Sequence, residues 1–249
     1  MTKLGILGGT FNPVHWGHLL IAETARDQCM LDRVIWVPTH YPPYKSPNRQ
    51  VAFTHRLEMV NRAIASNPGF CSSAAERDHT HASFAAETWA KLNSLYPNCH
   101  WYWIIGLDAF LSLPKWHRVK EFASHCHWLV APRFLPDPLQ SSSSQLSSEG
   151  RNEDGDSNCL SSNHIHYSDF NSSIRDICRQ IAQALSQQSV EIQWQILHAP
   201  HLEISSTLVR QYCGDRRSIR YLVPESVRLY INDHQLYQNF SKPPSHDPE

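Results

Sequence analysis

Two histidines, His15 and His18, lie three residues apart shortly after the glycine pair Gly8-Gly9. The apolar run Leu4 to Leu7 predicts a short strand that ends at Gly8, and a helix is expected to begin near Gly17. Glycines let backbone N–H groups approach phosphate oxygens, and the first N–H groups of a helix carry the positive end of its dipole. The spacing of three places both imidazoles on one helix face. This stretch therefore predicts a site for the phosphates of a nucleoside triphosphate.

A second stretch of the same kind lies near the carboxyl end of the chain. Ser205, Ser206 and Thr207 open a predicted helix, with Ser205 as its N-cap, and Arg210 follows one turn later. Hydroxyls, helix N–H groups and a guanidinium all favour anions. Two such helix ends can hold one triphosphate from opposite sides. The sequence has no Gly-x-Gly-x-x-Gly fingerprint and no Gly-Lys-Ser/Thr phosphate loop, so the predicted nucleotide site is of another type.

Strands and helices alternate along the chain, which predicts an α/β fold: a Rossmann-like, doubly wound parallel sheet. Ser83 is the predicted N-cap of the third helix, and the segment 70–82 has no clear pattern. The predicted strands are 4–7, 34–37, 101–105, 128–131 and 190–197, and the predicted helices are 17–30, 54–65, 83–95, 174–185, 204–214 and 224–234.

The carboxyl ends of the predicted strands carry further candidate residues, because open α/β sheets bind ligands at that edge. Gly106 and Asp108 follow the aromatic strand 101–105, and Asp108 is expected to face the ligand crevice. Lys45 lies in the stiff segment Pro42-Pro43-Tyr44-Lys45 after the second strand. It is a candidate phosphate contact.

Composition predicts one main domain over residues 1–240, since a chain of 249 residues with 41% hydrophobic content can bury a sizeable core. Residues 134–173 are rich in serine and predict a disordered insertion within that domain, and 241–249 predict a flexible tail. The net charge of −1 gives no global attraction to nucleic acid or to anionic lipid. The seven scattered cysteines and the lack of a long apolar run predict a cytoplasmic protein with no membrane segment.

The sequence resembles the bacterial nicotinate-nucleotide adenylyltransferases, which belong to the nucleotidyltransferase superfamily. The resemblance rests on the His-x-Gly-His motif at 15–18 and on Ile-Ser-Ser-Thr-x-x-Arg at 204–210, in the expected order. Other segments that resemble the family are 8–18, 42–45, 55–59, 105–108, 113–116, Arg133 and 221–224. The resemblance covers nearly the whole chain apart from the insertion and the tail.

The resemblance implies transfer of AMP from ATP to nicotinate mononucleotide, which gives deamido-NAD and pyrophosphate by direct in-line attack, with magnesium held mainly by the nucleotide. His18 would stabilise charge at the α-phosphate, and His15 and Arg210 would help to hold the triphosphate. The implied ATP-binding residues are Gly8, Gly9, Thr10, Phe11, His15, His18, Gly106, Asp108, Ser205, Ser206, Thr207 and Arg210. The implied acceptor-binding residues are Lys45, Arg56, Ser83, Ala85, Trp116 and Arg133.

Four positions depart from the family pattern: Asn12 replaces Asp, Tyr44 replaces His, Ala85 replaces Thr and Leu107 replaces Ala. Ala85 bears on the acceptor, so the same chemistry on nicotinamide mononucleotide or phosphopantetheine is an alternative. A non-catalytic nucleotide sensor is an alternative from another class. The histidine pairs at 79/81, 125/127 and 164/166 lack the spacing of a zinc motif, so no metal site made by the protein itself is predicted. The oligomeric state stays open.

Deletion of Gln140 to Asn158 is expected to leave turnover largely intact, because this serine-rich stretch has too little apolar area to offset the entropy of ordering it. The measurement is steady-state pyrophosphate release by the deletion variant and the full chain. A collapse of activity in the deletion variant would show instead that the segment works as a lid.

Overall fold

The structure is a computed structural model that describes residues 1–41, 50–77, 83–132, 167–200 and 202–238, with the backbone alone for 167–171. In chain order its strands and helices are β1 (Thr2–Gly9), α1 (Trp16–Cys29), β2 (Arg33–Pro38), α2 (Phe53–Ile64), β3 (Phe70–Ser72), α3 (Ala85–Leu95), β4 (Cys99–Gly106), α4 (Leu107–Phe110), α5 (Val119–Phe122), β5 (Cys126–Ala131), α6 (Tyr167–Ser186), β6 (Gln193–Ile196), α7 (Ser206–Gly214) and α8 (Glu225–Asp233). Short 3₁₀ turns lie at Leu113–Lys115 and Ala123–His125.

The strands form one sheet in the order β3-β2-β1-β4-β5-β6, and every pair is parallel. This order confirms the predicted Rossmann-like, doubly wound sheet. The chain leaves β1 towards β2 on one side and returns to β4 on the other side, so the order reverses between β1 and β4. The carboxyl ends of β1 and β4 therefore border the crevice in which such sheets bind ligands.

Both faces of the sheet are covered, which explains why its central strands are nearly continuous apolar runs. On one face, Trp103 and Trp128 pack with α3, α5 and α6. On the other face, Trp36 and Ile104 pack with α1, α2, α7 and α8. Successive residues of β4 alternate between the two clusters, as the pleat of a strand requires. The helices that carry the candidate phosphate residues, α1 and α7, thus lie on the same face.

The structure corrects three predictions about secondary structure. The short strand β3 lies in the segment 70–82, which showed no pattern because three residues are too few for a period. Phe84 precedes α3 as its N-cap residue, so Ser83 does not cap this helix. Helix α6 begins at Tyr167, within the predicted insertion 134–173, so the helix is longer than the predicted 174–185.

Two predicted segments cannot be compared with the structure. The range 133–166, which includes most of the predicted insertion, lies outside the described residues, as do 239–249 with the predicted tail. Within the described ranges, none of the helices has the length and apolar character needed to cross a bilayer.

Leu92→Ala is expected to lower the free energy of unfolding by about 3 kcal/mol, because it leaves a cavity where a core leucine was. Leu92 lies on α3 and is 0% exposed. The matched control is Leu95→Ala on the same helix, where the side chain is 61% exposed and the expected change is below about 0.5 kcal/mol. Urea unfolding followed by circular dichroism measures both, and equal losses would contradict this placement of the core.

Candidate active site

The backbone at the carboxyl end of β1 is open. A Cβ atom added at Gly8 would meet nothing within 4 Å, so the peptide there is accessible where the strand ends. A Cβ at Gly9 would lie 3.1 Å from the ring of Phe11. Phe11 has a φ of 47° and is 2% exposed, so its ring packs beneath the loop instead of facing the crevice. Phe11 was predicted to bind ATP, but its ring instead packs under the loop and supports it.

His15 and His18 open α1 together. His15 is the N-cap residue, and its N–H donates to Nδ1 of His18 at 3.2 Å. Because Nδ1 accepts, the proton of the neutral His18 ring lies on Nε2, which makes that nitrogen a donor. The two rings are in contact, tilted by 32° with centroids 3.7 Å apart, and a Cβ at Gly17 would come within 3.1 Å of the His15 imidazole. Glycine at position 17 therefore makes room for the His15 ring at the helix start.

Helix α7 contacts the same loop from the opposite side. The Oγ of Ser206 donates to the carbonyl of Pro13 at 2.8 Å. The Nη1 of Arg210 donates to the carbonyl of Asn12, also at 2.8 Å, and its Nη2 donates to Oγ1 of Thr207 at 3.1 Å. The structure thus brings together the two predicted phosphate-binding stretches, although they lie at opposite ends of the chain.

Ser205 is the N-cap of α7, as predicted. Its Oγ accepts from the N–H of Leu208 at 3.1 Å. The hydroxyl is therefore used by the helix, and the phosphate-binding capacity of this end lies in the first backbone N–H groups, which have no acceptor within the helix.

Asn12 is buried and its side-chain oxygen accepts two hydrogen bonds, which accounts for one departure from the family pattern. Its side chain is 4% exposed, and its Oδ1 accepts from the hydroxyl of Tyr237 at 2.9 Å and from the N–H of Val51 at 3.3 Å. A neutral amide satisfies both donors without the cost of burying a carboxylate. Burial raises the pKa of Tyr237, so its phenol remains a neutral donor to Asn12.

Arg56 is not available to a substrate, which corrects its prediction as an acceptor-binding residue. Its side chain is 1% exposed. The guanidinium donates to the carbonyls of Thr10 at 2.8 Å, Thr39 at 2.6 Å, Val51 at 3.1 Å and His40 at 3.3 Å. Burial lowers the pKa of this group. Its five fixed N–H donors suit a role that joins the loops after β1 and β2.

A buried carboxylate that sequence reasoning missed supports the same region. Glu76 is 5% exposed and accepts from the N–H of His40 at 3.0 Å and from the hydroxyl of Thr88 at 2.7 Å. It also attracts Arg56 electrostatically. Glu76 lies in the unpatterned segment 70–82, and no motif in the sequence signals its burial.

Asp108 lies at the carboxyl end of β4, as predicted, in the first turn of α4, and it is exposed. A Cβ at Gly106 would lie 2.5 Å from Oδ1 of Asp108. Glycine at position 106 therefore leaves the space that this carboxylate occupies at the edge of the crevice.

Of the other predicted acceptor-binding residues, some lie within the described residues and some lie outside them. Ser83 exchanges two hydrogen bonds with Tyr41, one from its N–H at 2.9 Å and one to its Oγ at 3.1 Å, so its hydroxyl joins α3 to the loop after β2. Ala85 is the first residue of α3 and is half-buried. Lys45 and Arg133 lie outside the described residues, and their predicted roles stay predictions.

Trp116 belongs to an aromatic cluster next to this region. Its Nε1 donates to Oγ of Ser112 at 3.0 Å, and its ring meets Trp103 and Trp128 edge to face with centroids 6.4 and 6.1 Å apart. The ring is half-buried. It is therefore held rigidly by packing while part of its surface remains open.

One apolar pocket beside α1 was not predicted. Its walls combine the start of α1 with the segments that follow β5 and β6, and His15 lies at its polar edge. The lining residues are His15, Gly17, Leu20, Ile21, Pro132, Ala199, Pro200, Leu202 and Ile204. Among the residues that the structure describes, there is no group of three or more His, Cys, Asp or Glu side chains placed to hold a metal ion.

Comparison with known proteins gives a consistent result. A family model described as cytidylyltransferase-like matches residues 6–212. A protein of Trichormus variabilis named probable nicotinate-nucleotide adenylyltransferase is 42% identical over 242 residues, which are 97% of this chain and 100% of that protein. A protein of the same name from Desulfitobacterium hafniense is 33% identical over 236 residues, which are 95% of this chain and 96% of that protein.

Two solved structures share the fold. One is the Plasmodium falciparum nicotinic acid mononucleotide adenylyltransferase complexed with NaAD, with a TM-score of 0.64 at 15% identity over 95% of this chain and 98% of that chain. The same protein complexed with APC gives a TM-score of 0.62 at 14% identity over the same shares of the two chains.

Arg56→Met is expected to lower the free energy of unfolding by about 3 kcal/mol, because it leaves several buried carbonyls without a donor. The control is Arg62→Met on the same helix, an exposed residue paired with Glu58, with an expected change below about 1 kcal/mol. Thermal unfolding measures both. A variant with unchanged stability and a weakened affinity for the acceptor alone would restore Arg56 as a substrate contact.

Proposed function

The chain belongs to the cytidylyltransferase-like family and, within it, to the nicotinate-nucleotide adenylyltransferases, and on that premise we propose how its residues perform adenylyl transfer. The reaction joins AMP from ATP to nicotinate mononucleotide and releases pyrophosphate, a step of NAD biosynthesis. The observation that carries the assignment to this site is the contact of α7 with the loop after β1, through Arg210 and Ser206. It brings two helix N-termini and the half-buried imidazole of His18 to one crevice, and the 1% exposed His15 contacts the His18 ring.

ATP is proposed to lie across the carboxyl ends of β1 and β4. The triphosphate binds between the N-termini of α1 and α7, where helix dipoles and N–H groups favour negative charge. The adenine occupies the apolar pocket beside α1, next to Leu202 and Ile204. The exposed carboxylate of Asp108 accepts hydrogen bonds from the ribose hydroxyls.

The acceptor is proposed to bind at the same edge of the sheet, on the face that α3 covers. The N-terminus of α3, at Ala85, offers N–H groups to the carboxylate of the nicotinate ring, and Trp116 presents a rigid aromatic surface to that ring. Lys45 and Arg133 are proposed to bind the phosphate of the mononucleotide, as the sequence predicts. Tyr41 and Ser83 fix the loop between these groups.

The chemical step is proposed to be a direct displacement. An oxygen of the nicotinate mononucleotide phosphate attacks the α-phosphorus of ATP while the bond from that phosphorus to the bridging oxygen of the β-phosphate breaks, so pyrophosphate leaves with the bonding electrons. His18 donates from Nε2 to the α-phosphate as charge develops there, and Arg210 stabilises the leaving pyrophosphate. No covalent enzyme intermediate is needed, since positioning and charge stabilisation supply the catalysis.

Magnesium is proposed to enter with ATP. Mg²⁺ commonly binds through substrate phosphates and retains several of its waters, so it needs few protein ligands. When bound, it would neutralise part of the triphosphate charge. The donors of this chain that meet the same charge are His18, Arg210 and the helix N–H groups of α7.

His18→Ala is expected to lower kcat for pyrophosphate release by roughly 10²- to 10³-fold, the cost of losing one donor to the developing charge. The assay contains ATP, magnesium and one of three acceptors: nicotinate mononucleotide, nicotinamide mononucleotide or phosphopantetheine. The matched control is His100→Ala, an exposed histidine at the start of β4, the end of the strand away from the crevice, which is expected to keep wild-type activity.

The acceptor panel separates the alternatives. Preference for nicotinate mononucleotide is the expected result, and preference for the amide or for phosphopantetheine would overturn the proposed acceptor. Binding of ATP without release of pyrophosphate for any acceptor would indicate a nucleotide sensor instead of an enzyme.

A further inference from the structure

The chain turns back sharply after α8 and buries Tyr237. Gln235 and Tyr237 have φ values of 51° and 68°, in the left-handed region that non-glycine residues seldom adopt. The Tyr237 side chain is nevertheless only 3% exposed. Two unfavourable backbone conformations within three residues are retained only where the surrounding structure holds them. The turn thus fixes the position of the Tyr237 phenol.

That place is the loop that carries the phosphate site. The Tyr237 hydroxyl donates to Oδ1 of Asn12 at 2.9 Å, and the N–H of Val51 donates to the same oxygen at 3.3 Å. The backbone carbonyl of Asn12 accepts from Nη1 of Arg210 at 2.8 Å. Two consecutive hydrogen bonds through one residue therefore connect the carboxyl-terminal turn to Arg210.

The charges around Tyr237 and Asn12 are also compatible with a contact to Arg210. The Tyr237 hydroxyl lies close enough to Arg210 and Arg56 for both cations to act on it. Neither the phenol nor the Asn12 amide brings negative charge to this side of Arg210. The neutral pair thus holds the residue whose backbone carbonyl accepts from Arg210, without competing electrostatically with the phosphates of a nucleotide.

We propose that Tyr237 is a positioning residue for ATP binding: its hydroxyl holds Asn12, and Asn12 holds Arg210 towards the triphosphate. The inference rests on the proposed function, because it assigns Arg210 to the triphosphate. It adds a residue from the end of the fold that no motif in the sequence contains.

Tyr237→Phe removes one oxygen and keeps the ring, so the fold is retained. The expected result is a dissociation constant for α,β-methylene ATP that rises roughly 5- to 10-fold, the factor that one hydrogen bond represents. The KM for ATP rises with it, while the KM for the acceptor stays unchanged. The matched control is Tyr230→Phe on α8, whose hydroxyl bonds Nδ1 of His55 at 2.9 Å and which is expected to leave nucleotide affinity unchanged.

A double-mutant cycle tests whether Tyr237 acts through Arg210. In an Arg210→Met background, Tyr237→Phe is expected to cause no additional loss of affinity, because the group that it positions is gone. A purely structural tyrosine would weaken binding equally in both backgrounds. Unfolding midpoints of all variants, measured in parallel, show that the compared proteins are folded.

An unchanged dissociation constant for Tyr237→Phe, or losses that add in the cycle, would overturn the proposal. Binding of α,β-methylene ATP requires no turnover. A protein that binds this analogue but releases no pyrophosphate would contradict the proposed function, while the cycle would still decide the role of Tyr237.

Discussion

The candidate active site depends on the attachment of α7 to the loop after β1. Arg210 and Ser206 each donate a 2.8 Å hydrogen bond to consecutive backbone carbonyls of that loop, at Asn12 and Pro13. In the proposed function, the guanidinium of Arg210 and the first N–H groups of α7 meet the phosphates at this point. One helix N-terminus can attract a phosphate, and two that these bonds hold rigidly are proposed to bind one phosphate chain. Catalysis by positioning needs that rigidity, because an in-line displacement tolerates little misalignment.

Two buried charged residues, Arg56 and Glu76, stabilise the loops beside this site. Arg56 is 1% exposed and bonds to carbonyls from both loops that border the crevice, and the 5% exposed Glu76 fixes the loop after β2 through His40. Burying these groups is costly, and the cost is offset only because each makes several hydrogen bonds. These bonds join Thr10, Thr39 and His40, which lie in loops, and loops are usually the most mobile parts of a fold.

The family membership and the geometry support each other, although they rest on different observations. Close relatives establish the family, whereas the solved structures, at 14–15% identity, establish the fold. The contacts of His18 and Arg210 with the loop after β1, and the position of Asp108 after β4, come from this chain alone. Asn12 illustrates why a departure from a family pattern can be structurally neutral: the amide oxygen accepts the same hydrogen bonds that a carboxylate oxygen would.

The sequence by itself determined the α/β class, most of the strands and helices, and the two motifs, because hydrophobic period, glycine placement and helix caps are local properties. Ser205 as the cap of α7 is one such local feature. Only the tertiary structure decided the burial and the partners of side chains, because these depend on contacts between distant segments. It brought 12–18 and 205–210 together, buried Arg56 away from substrate, revealed Glu76, and carried Tyr237 to Asn12. No local pattern encodes these outcomes, since a side chain's partners depend on which distant segments the parallel sheet places beside it.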